Sequence, residues 1–293
     1  MPYSHDKAAL AECEELLAIP ANYLRRMRRR NGRICLDAGA LGQQQLQALL
    51  FDCFFSRGSE HPFDLRGART FPDLLAYVGW VAPQPDRLVL RVRAAARVCS
   101  YLLPYIRTFQ DGSFEVSGIP GLRLERVTSK GLLLHHLPTH GRIELRERTG
   151  EPSHQHMRDA LEGEAQGNTS LGVPDVNPMQ AWTKASLTQG ESVMAHHWAP
   201  TATTALRSAL LVRANLLWSS PRHRAHLTPA RRSNADRCLR WATGLTVTEL
   251  GSLLTNSAVR IPEARFSAPT SVAGIGLIQL DGGILELQGQ TVP

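Results

Sequence analysis

The stretch PDRLVLRVRAAARVCSYLLP, residues 85–104, decides the fold class. Pro85-Asp86 has the composition of a helix start. Leu88, Val92, Ala95, Cys99 and Leu102 then recur at steps of three and four residues, and Pro104 stops or kinks the chain. That spacing predicts one long amphipathic helix over this stretch. With it the chain reads as mostly helical.

The same period appears toward the N-terminus. Ser4 can cap a helix that carries Leu10, Cys13 and Leu17 on one stripe. Pro20 breaks it and opens a second helix, YLRRMRRRNGR over residues 23–33, with Tyr23, Leu24 and Met27 on one stripe. Asn31-Gly32 ends it, since Gly accepts the left-handed cap. A third helix is expected over Leu41–Phe55, a loop over 57–70 and a short helix in FPDLLAYVGWV, residues 71–81.

Past Pro104 the period changes to two. LRLERV and RIELRER alternate between glycines, which predicts a small antiparallel β-meander from about Ser113 to Glu147. Residues 149–180 are rich in Gly, Pro, Asn, Gln and Ser and read as a linker or long loop, with room for a short helix near Gln155–Leu161. Helices are expected to resume over Ala181–Trp198, Ala202–Trp218, Pro229–Thr243 and Thr246–Leu254. The tail turns at Asp281-Gly282-Gly283 as a β-hairpin. No internal repeat of fixed period is visible. The expected class is α+β, mostly helical, with a small antiparallel β-meander in the middle and a C-terminal β-hairpin. The expected organisation is a helical N-terminal domain over 1–148 that ends in the meander, a linker over 149–180 and a helical C-terminal domain over 181–293.

Charge points to the partner. The chain carries a net charge of +7, and thirty of its 33 basic residues are Arg. A GC-rich genome produces the same skew, but Arg also suits bidentate phosphate contact better than Lys. Two clusters stand out. One is Arg25, Arg26, Arg28, Arg29, Arg30 and Arg33. The other, in RHRAHLTPARRSNADRCLRW (residues 222–241), is Arg222, Arg224, Arg231, Arg232, Arg237 and Arg240, with Trp241 available to stack on a base.

Each cluster adjoins a helix–turn–helix pattern. AALAECEELLAIPANYLRRMRRRNGR, with its turn at Ala18-Ile19-Pro20, resembles the helix–turn–helix of small winged-helix transcription regulators over about 25 residues. RCLRWATGLTVTELGSLL has a similar pattern, with Gly244 in the turn, Thr246 as cap and Leu245 and Leu250 inward. The resemblance implies a second helix whose first residues meet base edges.

Other chemistry is thin in this sequence. The five cysteines, Cys13, Cys35, Cys53, Cys99 and Cys238, form no CxxC, so neither a zinc ribbon nor a disulfide framework is expected. His154 and His156 are the best-placed histidine pair for a metal, yet they lie in a polar, loop-like stretch. No nucleophile elbow or phosphate-cradling Gly loop stands in a supporting context. No cofactor, catalytic residue or metal site is expected. The N-terminal stretch lacks an apolar core of signal-peptide type, and no apolar run approaches the ~18 residues of a membrane helix. The expected setting is the cytoplasm, a nucleoid or a virion, without a membrane partner.

The expected function is a non-catalytic nucleic-acid-binding subunit of a larger assembly: a ribonucleoprotein, a nucleocapsid or capsid-type particle, or a replication or regulatory complex. Its partners would be DNA or RNA and other protein subunits. One alternative is a structural assembly component, such as a shell, matrix or scaffold protein, that touches no nucleic acid. Another is an enzyme with no short motif, metal-dependent through His154 and His156.

Overall fold

A computed structural model of the chain describes residues 3–31, 34–56, 74–108, 111, 114–128, 130–147, 154–169, 182–194, 199–220, 223–230, 235–241, 244–269 and 274–289. The fold is α+β, but the mostly helical expectation is wrong. Two mixed five-stranded sheets organise the chain, in place of one small meander and a lone hairpin.

The error begins at the opening stretch. Pro85-Asp86 forms a two-residue turn between strands β1 (Val78–Gln84) and β2 (Arg87–Val92). Helix α4 occupies only Ala95–Leu102. Leu88, Leu90 and Val92 alternate as well as they match a helix, and all three are fully buried. The β-branched Val89 and Val92 favour the extended form. Leu88, Leu90 and Val92 face Ile143, Leu145 and Glu147 on the parallel strand β7 (Arg142–Glu147). That pairing comes from more than fifty residues away, so no local period announces it. FPDLLAYVGWV is corrected for the same reason: among its described residues Leu74–Tyr77 form a 3₁₀ turn before β1 begins.

The first sheet runs β1-β2-β7-β6-β5, with β5 at Leu122–Thr128 and β6 at Gly131–His136. Strands β5, β6 and β7 are the expected antiparallel meander. The extra pairing of β7 to β2 makes the sheet mixed. Strand β4 (Phe114–Ser117) leaves the meander and pairs with β3 (Tyr105–Thr108) in a separate ribbon. Helix α4 and helix α5 (His154–Thr169) lie against β5, β6 and β7. The apolar face includes Leu132, Leu134, Ile143 and Leu145, all fully buried.

The second sheet runs β10-β11-β14-β13-β12. The described residues of the helix expected over Pro229–Thr243 are not helical. Strand β10 (His226–Pro229) and strand β11 (Arg237–Trp241) stand there as an antiparallel pair. Strand β11 lies parallel to β14 (Gly283–Gly289), which buries Cys238, Leu239 and Trp241. The C-terminal hairpin of β13 (Ile275–Leu280) and β14 forms as read, but inside this sheet. Asp281 and Gly282 both take positive φ, 50° and 83°, the backbone of a type I′ turn. Strand β12 (Arg265–Ser267) completes the edge.

Helices α1 (Tyr3–Leu17), α2 (Ala21–Asn31) and α3 (Leu41–Phe55) stand where the period placed them. Within the expected 181–198 helix, Trp182 and Thr183 are helical, residues 184–188 are not, and Gln189–Val193 forms α6. Helix α7 spans Thr204–Val212 and is followed by a 3₁₀ turn at Ala214–Leu217. A short pair, β8 (Trp218–Ser220) and β9 (His223–Arg224), comes next. Helix α8 (Val247–Asn256) starts at a Thr246–Glu249 capping box, and α6 at a Thr188–Glu191 box. The expected loop at 57–70 lies outside the described residues. Among the described residues no helix is long and apolar enough to cross a membrane.

The chain divides into two compact units. One comprises Met1–Gly39, Trp80–Pro85 and Pro200–Pro293; the other comprises Ala40–Gly79 and Asp86–Ala199.

Candidate nucleic-acid interface

Helix α2 presents the first arginine cluster. Leu24 is fully buried and Met27 is 7 % exposed, so one face is seated on the protein. At 100° per residue the opposite face then carries Arg25, Arg26 and Arg29, and all three are exposed. Arg25 and Arg29 stand one turn apart on the same line. Arg28 is half-buried. Arg30 lies in the last turn, with its side chain outside the described residues, as is Arg33. The helix contains no Asp or Glu. Among the described residues Arg25, Arg26 and Arg29 form no ion pair.

The helix is held in place by its own unit. Pro20 O accepts the Tyr23 and Leu24 amides at 2.9 and 3.3 Å, and Glu14 Oε1 accepts the Ala21 amide at 3.2 Å. Ala18 takes φ 53°, a left-handed turn that ends α1. Asn215 Nδ2 donates to Leu17 O at 2.6 Å, and Glu12 Oε2 accepts the Ala258 amide at 3.4 Å. Beyond α2, the fully buried Arg213 donates to the Asp37 carboxylate at 2.7 and 3.2 Å and to the carbonyls of Ala209, Val259 and Arg260. The strip is therefore anchored at both ends.

An aromatic ladder flanks it. The Tyr23 and Trp80 rings meet edge to face, with centroids 4.8 Å apart at 62°. The Arg26 guanidinium stands 5.8 Å from the Tyr23 ring centroid, within cation–π range. Tyr23 was expected inward; it is half-buried against Trp80. Trp80 itself was missed because its stretch was read as helix. The alternation and β-rich composition of YVGWV were the available signal.

The second cluster does not gather. Arg222, Arg231 and Arg232 lie outside the described residues, and Arg224 is on β9 with its side chain undescribed. Arg237 and Arg240 are three apart on strand β11, so they point to opposite faces. Trp241 is fully buried and donates its indole N–H to Leu245 O at 2.9 Å, which leaves no open ring face for a base. The helix–turn–helix expected at 237–254 is corrected too, because its first helix is a strand.

Several other described arginines are matched by acid. On the face of the first sheet turned away from α4, Arg146 Nε donates to Glu144 Oε1 at 2.6 Å, and Arg87 Nε stands 3.6 Å from Glu144 Oε2. Arg142 pairs with Glu125 at 3.0 Å. Arg123, 4 % exposed, grips Glu191 through two bonds of 2.7 and 2.8 Å. Burial raises the Glu191 carboxyl's proton affinity. The Arg123, Thr188 and Gly121 hydrogen bonds outweigh that effect and hold it below the usual carboxylate range. These pairs fix the fold; among the described residues Arg25, Arg26 and Arg29 take part in none.

Among the described residues no three His, Cys, Asp or Glu side chains cluster as metal ligands. All five cysteines are free thiols. His156 is exposed on α5, and the His154 side chain is outside the described residues. The chain matches no protein-family model, no curated protein and no solved structure.

Proposed function

We propose that the protein binds nucleic acid and that Arg25, Arg26 and Arg29 on α2 contact the phosphate backbone. One observation carries this reading: three exposed guanidinium groups share one face of an acid-free helix, and none has a carboxylate partner among the described residues. Like charges one turn apart cost the helix a few tenths of a kcal/mol per pair. The helix C-terminal dipole offsets part of that cost. A phosphate backbone would relieve the rest and accept the guanidinium forks in pairs. The net charge of +7 acts in the same direction at long range.

The test is affinity against salt, measured by fluorescence anisotropy on a duplex and on a single strand. Each neutralised phosphate contributes a slope of roughly −0.9 in log K against log [salt] on duplex and roughly −0.7 on single strands. The triple variant Arg25→Ala/Arg26→Ala/Arg29→Ala keeps helix propensity, because Ala is the best helix former. It should flatten the slope by about three on duplex and about two on a single strand. Absence of binding to either ligand at low salt, or an unchanged slope in the triple variant, overturns the proposal.

A further inference from the structure

We infer that the ligand is single-stranded and that Trp80 stacks on an unpaired base at the edge of the arginine strip. This inference rests on the phosphate-binding reading of α2 and adds the class of nucleic acid.

The tryptophans whose side chains are described fall into two kinds. Trp182 and Trp241 are fully buried, and each donates its indole N–H to a carbonyl, Pro104 O at 3.1 Å and Leu245 O at 2.9 Å. That is the usual arrangement for a core tryptophan. Trp80 is half-buried on β1, and its indole N–H has no partner among the described residues. A large apolar ring left partly in water, its donor without a partner among the described residues, is unlike the other two. Its position is also set: Val78, Val81 and Ala82 anchor the strand in the core, and Tyr23 braces the ring edge to face. A braced ring loses little rotamer freedom on binding, so more of the stacking energy appears as affinity.

The neighbouring charge selects the ligand. Tyr23 connects Trp80 to Arg26 through the cation–π contact, and Arg26 begins the phosphate-facing surface. A nucleotide offers this arrangement both of its parts, a π-face for Trp80 and a phosphate for Arg26. In a duplex the bases are stacked on one another and shielded from such a ring. In a single strand each base is available, and base–aromatic stacking is tolerant of sequence. The site therefore favours unpaired over paired nucleic acid and reads little sequence.

The experiment compares a thymidine homopolymer with an abasic strand of equal length and charge, at fixed low salt. The wild-type chain should bind the base-bearing strand about ten-fold more tightly. Trp80→Ala should bind both strands alike, and Trp80→Phe should keep most of the preference. The salt slope should be the same in all three proteins, because the phosphate contacts are untouched. Equal wild-type affinity for the two strands overturns the inference, as does a Trp80→Ala loss that is equal on both. Should Trp80→Ala fail to fold by circular dichroism, the wild-type comparison decides alone. If neither strand binds at low salt, the phosphate-binding reading falls as well. If both bind without preference, only the stacking inference falls.

Discussion

His136 should make the fold sensitive to mild acid. The side chain is fully buried on β6. Its Nε2 lies 2.9 Å from Pro120 O and its Nδ1 lies 2.8 Å from Thr139 Oγ1. A carbonyl only accepts, so Nε2 carries the proton and Nδ1 accepts from the Thr139 hydroxyl. Thr139 Oγ1 in turn accepts the Gly141 amide at 3.3 Å. Protonating Nδ1 would place a charge in the core and turn the Thr139 hydroxyl away from its partner. Burial is the largest cause that lowers the His136 pKa, from 6.5 to about 4; His135 and Arg123 add to it, and the Pro120 bond and Glu191 oppose it. The unfolded chain therefore takes up the proton first as pH falls. Stability is full above the unfolded value of 6.5 and is lost as pH drops toward the folded value of about 4. At 1.36 kcal/mol per unit the loss reaches about 3 kcal/mol, with about 2 kcal/mol of it gone between about pH 7 and about pH 5. Urea unfolding at a series of pH values measures this directly. His136→Gln keeps a donor for Pro120 O but does not titrate, so its stability should fall by about 2 kcal/mol less over that interval. Parallel curves for the two proteins refute the reasoning.

Two further predictions concern packing. Arg213→Met removes the buried guanidinium that ties Asp37 to three carbonyls, and should cost about 3 kcal/mol in urea unfolding. That is the low end for a broken buried pair, because Asp37, 30 % exposed, regains water; a loss under about 1 kcal/mol contradicts the clamp. Two helical glycines should respond in opposite directions to Ala. Gly163 on α5 has nothing within 4 Å of an added Cβ, so Gly163→Ala should gain about 0.5–1 kcal/mol. Gly251 on α8 would place that atom 2.5 Å from the Phe266 ring, so Gly251→Ala should lose about 1–3 kcal/mol; thermal melting that moves both the same way contradicts the packing.

What the sequence revealed depended on how local the cause was. The Thr246 cap and the Asp281-Gly282 turn were legible because their partners lie within three residues. Helix α2 was legible because Leu24 and Met27 sit on one stripe between Pro20 and Asn31. Strands β2 and β11 were not. Leu88, Val92 and Ala95 satisfy a helix period and a strand–turn–helix equally, and the parallel partners β7 and β14 that decide between them are distant in the chain. The same long range hid Arg213. Nothing in LLVRANLL says that this arginine is core, because its acceptors come from Asp37, Val259 and Arg260. The exposed strip of the candidate site was thus readable, whereas the side chains that anchor it and the ring beside it were not.

The distance between paired strands also explains why no repeat was visible. The two sheets share one topology. A two-strand hairpin leads into a helix, and the last strand then returns parallel to the hairpin's second strand, with an antiparallel pair outside it. The registers match residue for residue: Glu144 faces Val89 and Glu286 faces Cys238, while Leu90 faces Leu145 and Leu239 faces Leu287. Both glutamates are buried. The spacing along the chain differs, because the β3–β4 ribbon lies between α4 and β5, whereas α8 leads directly to β12. A search for a fixed period therefore fails even though the spatial order repeats. The proposed site lies where the two differ. Helix α2 belongs to neither sheet, and Trp80 stands on β1, whose counterpart β10, HLTP, carries no Phe, Tyr or Trp. Burial of one apolar sheet face accounts for what the two sheets share. It does not require a partly exposed ring or an arginine strip without acid partners among the described residues, and those unshared features are what ligand binding would explain.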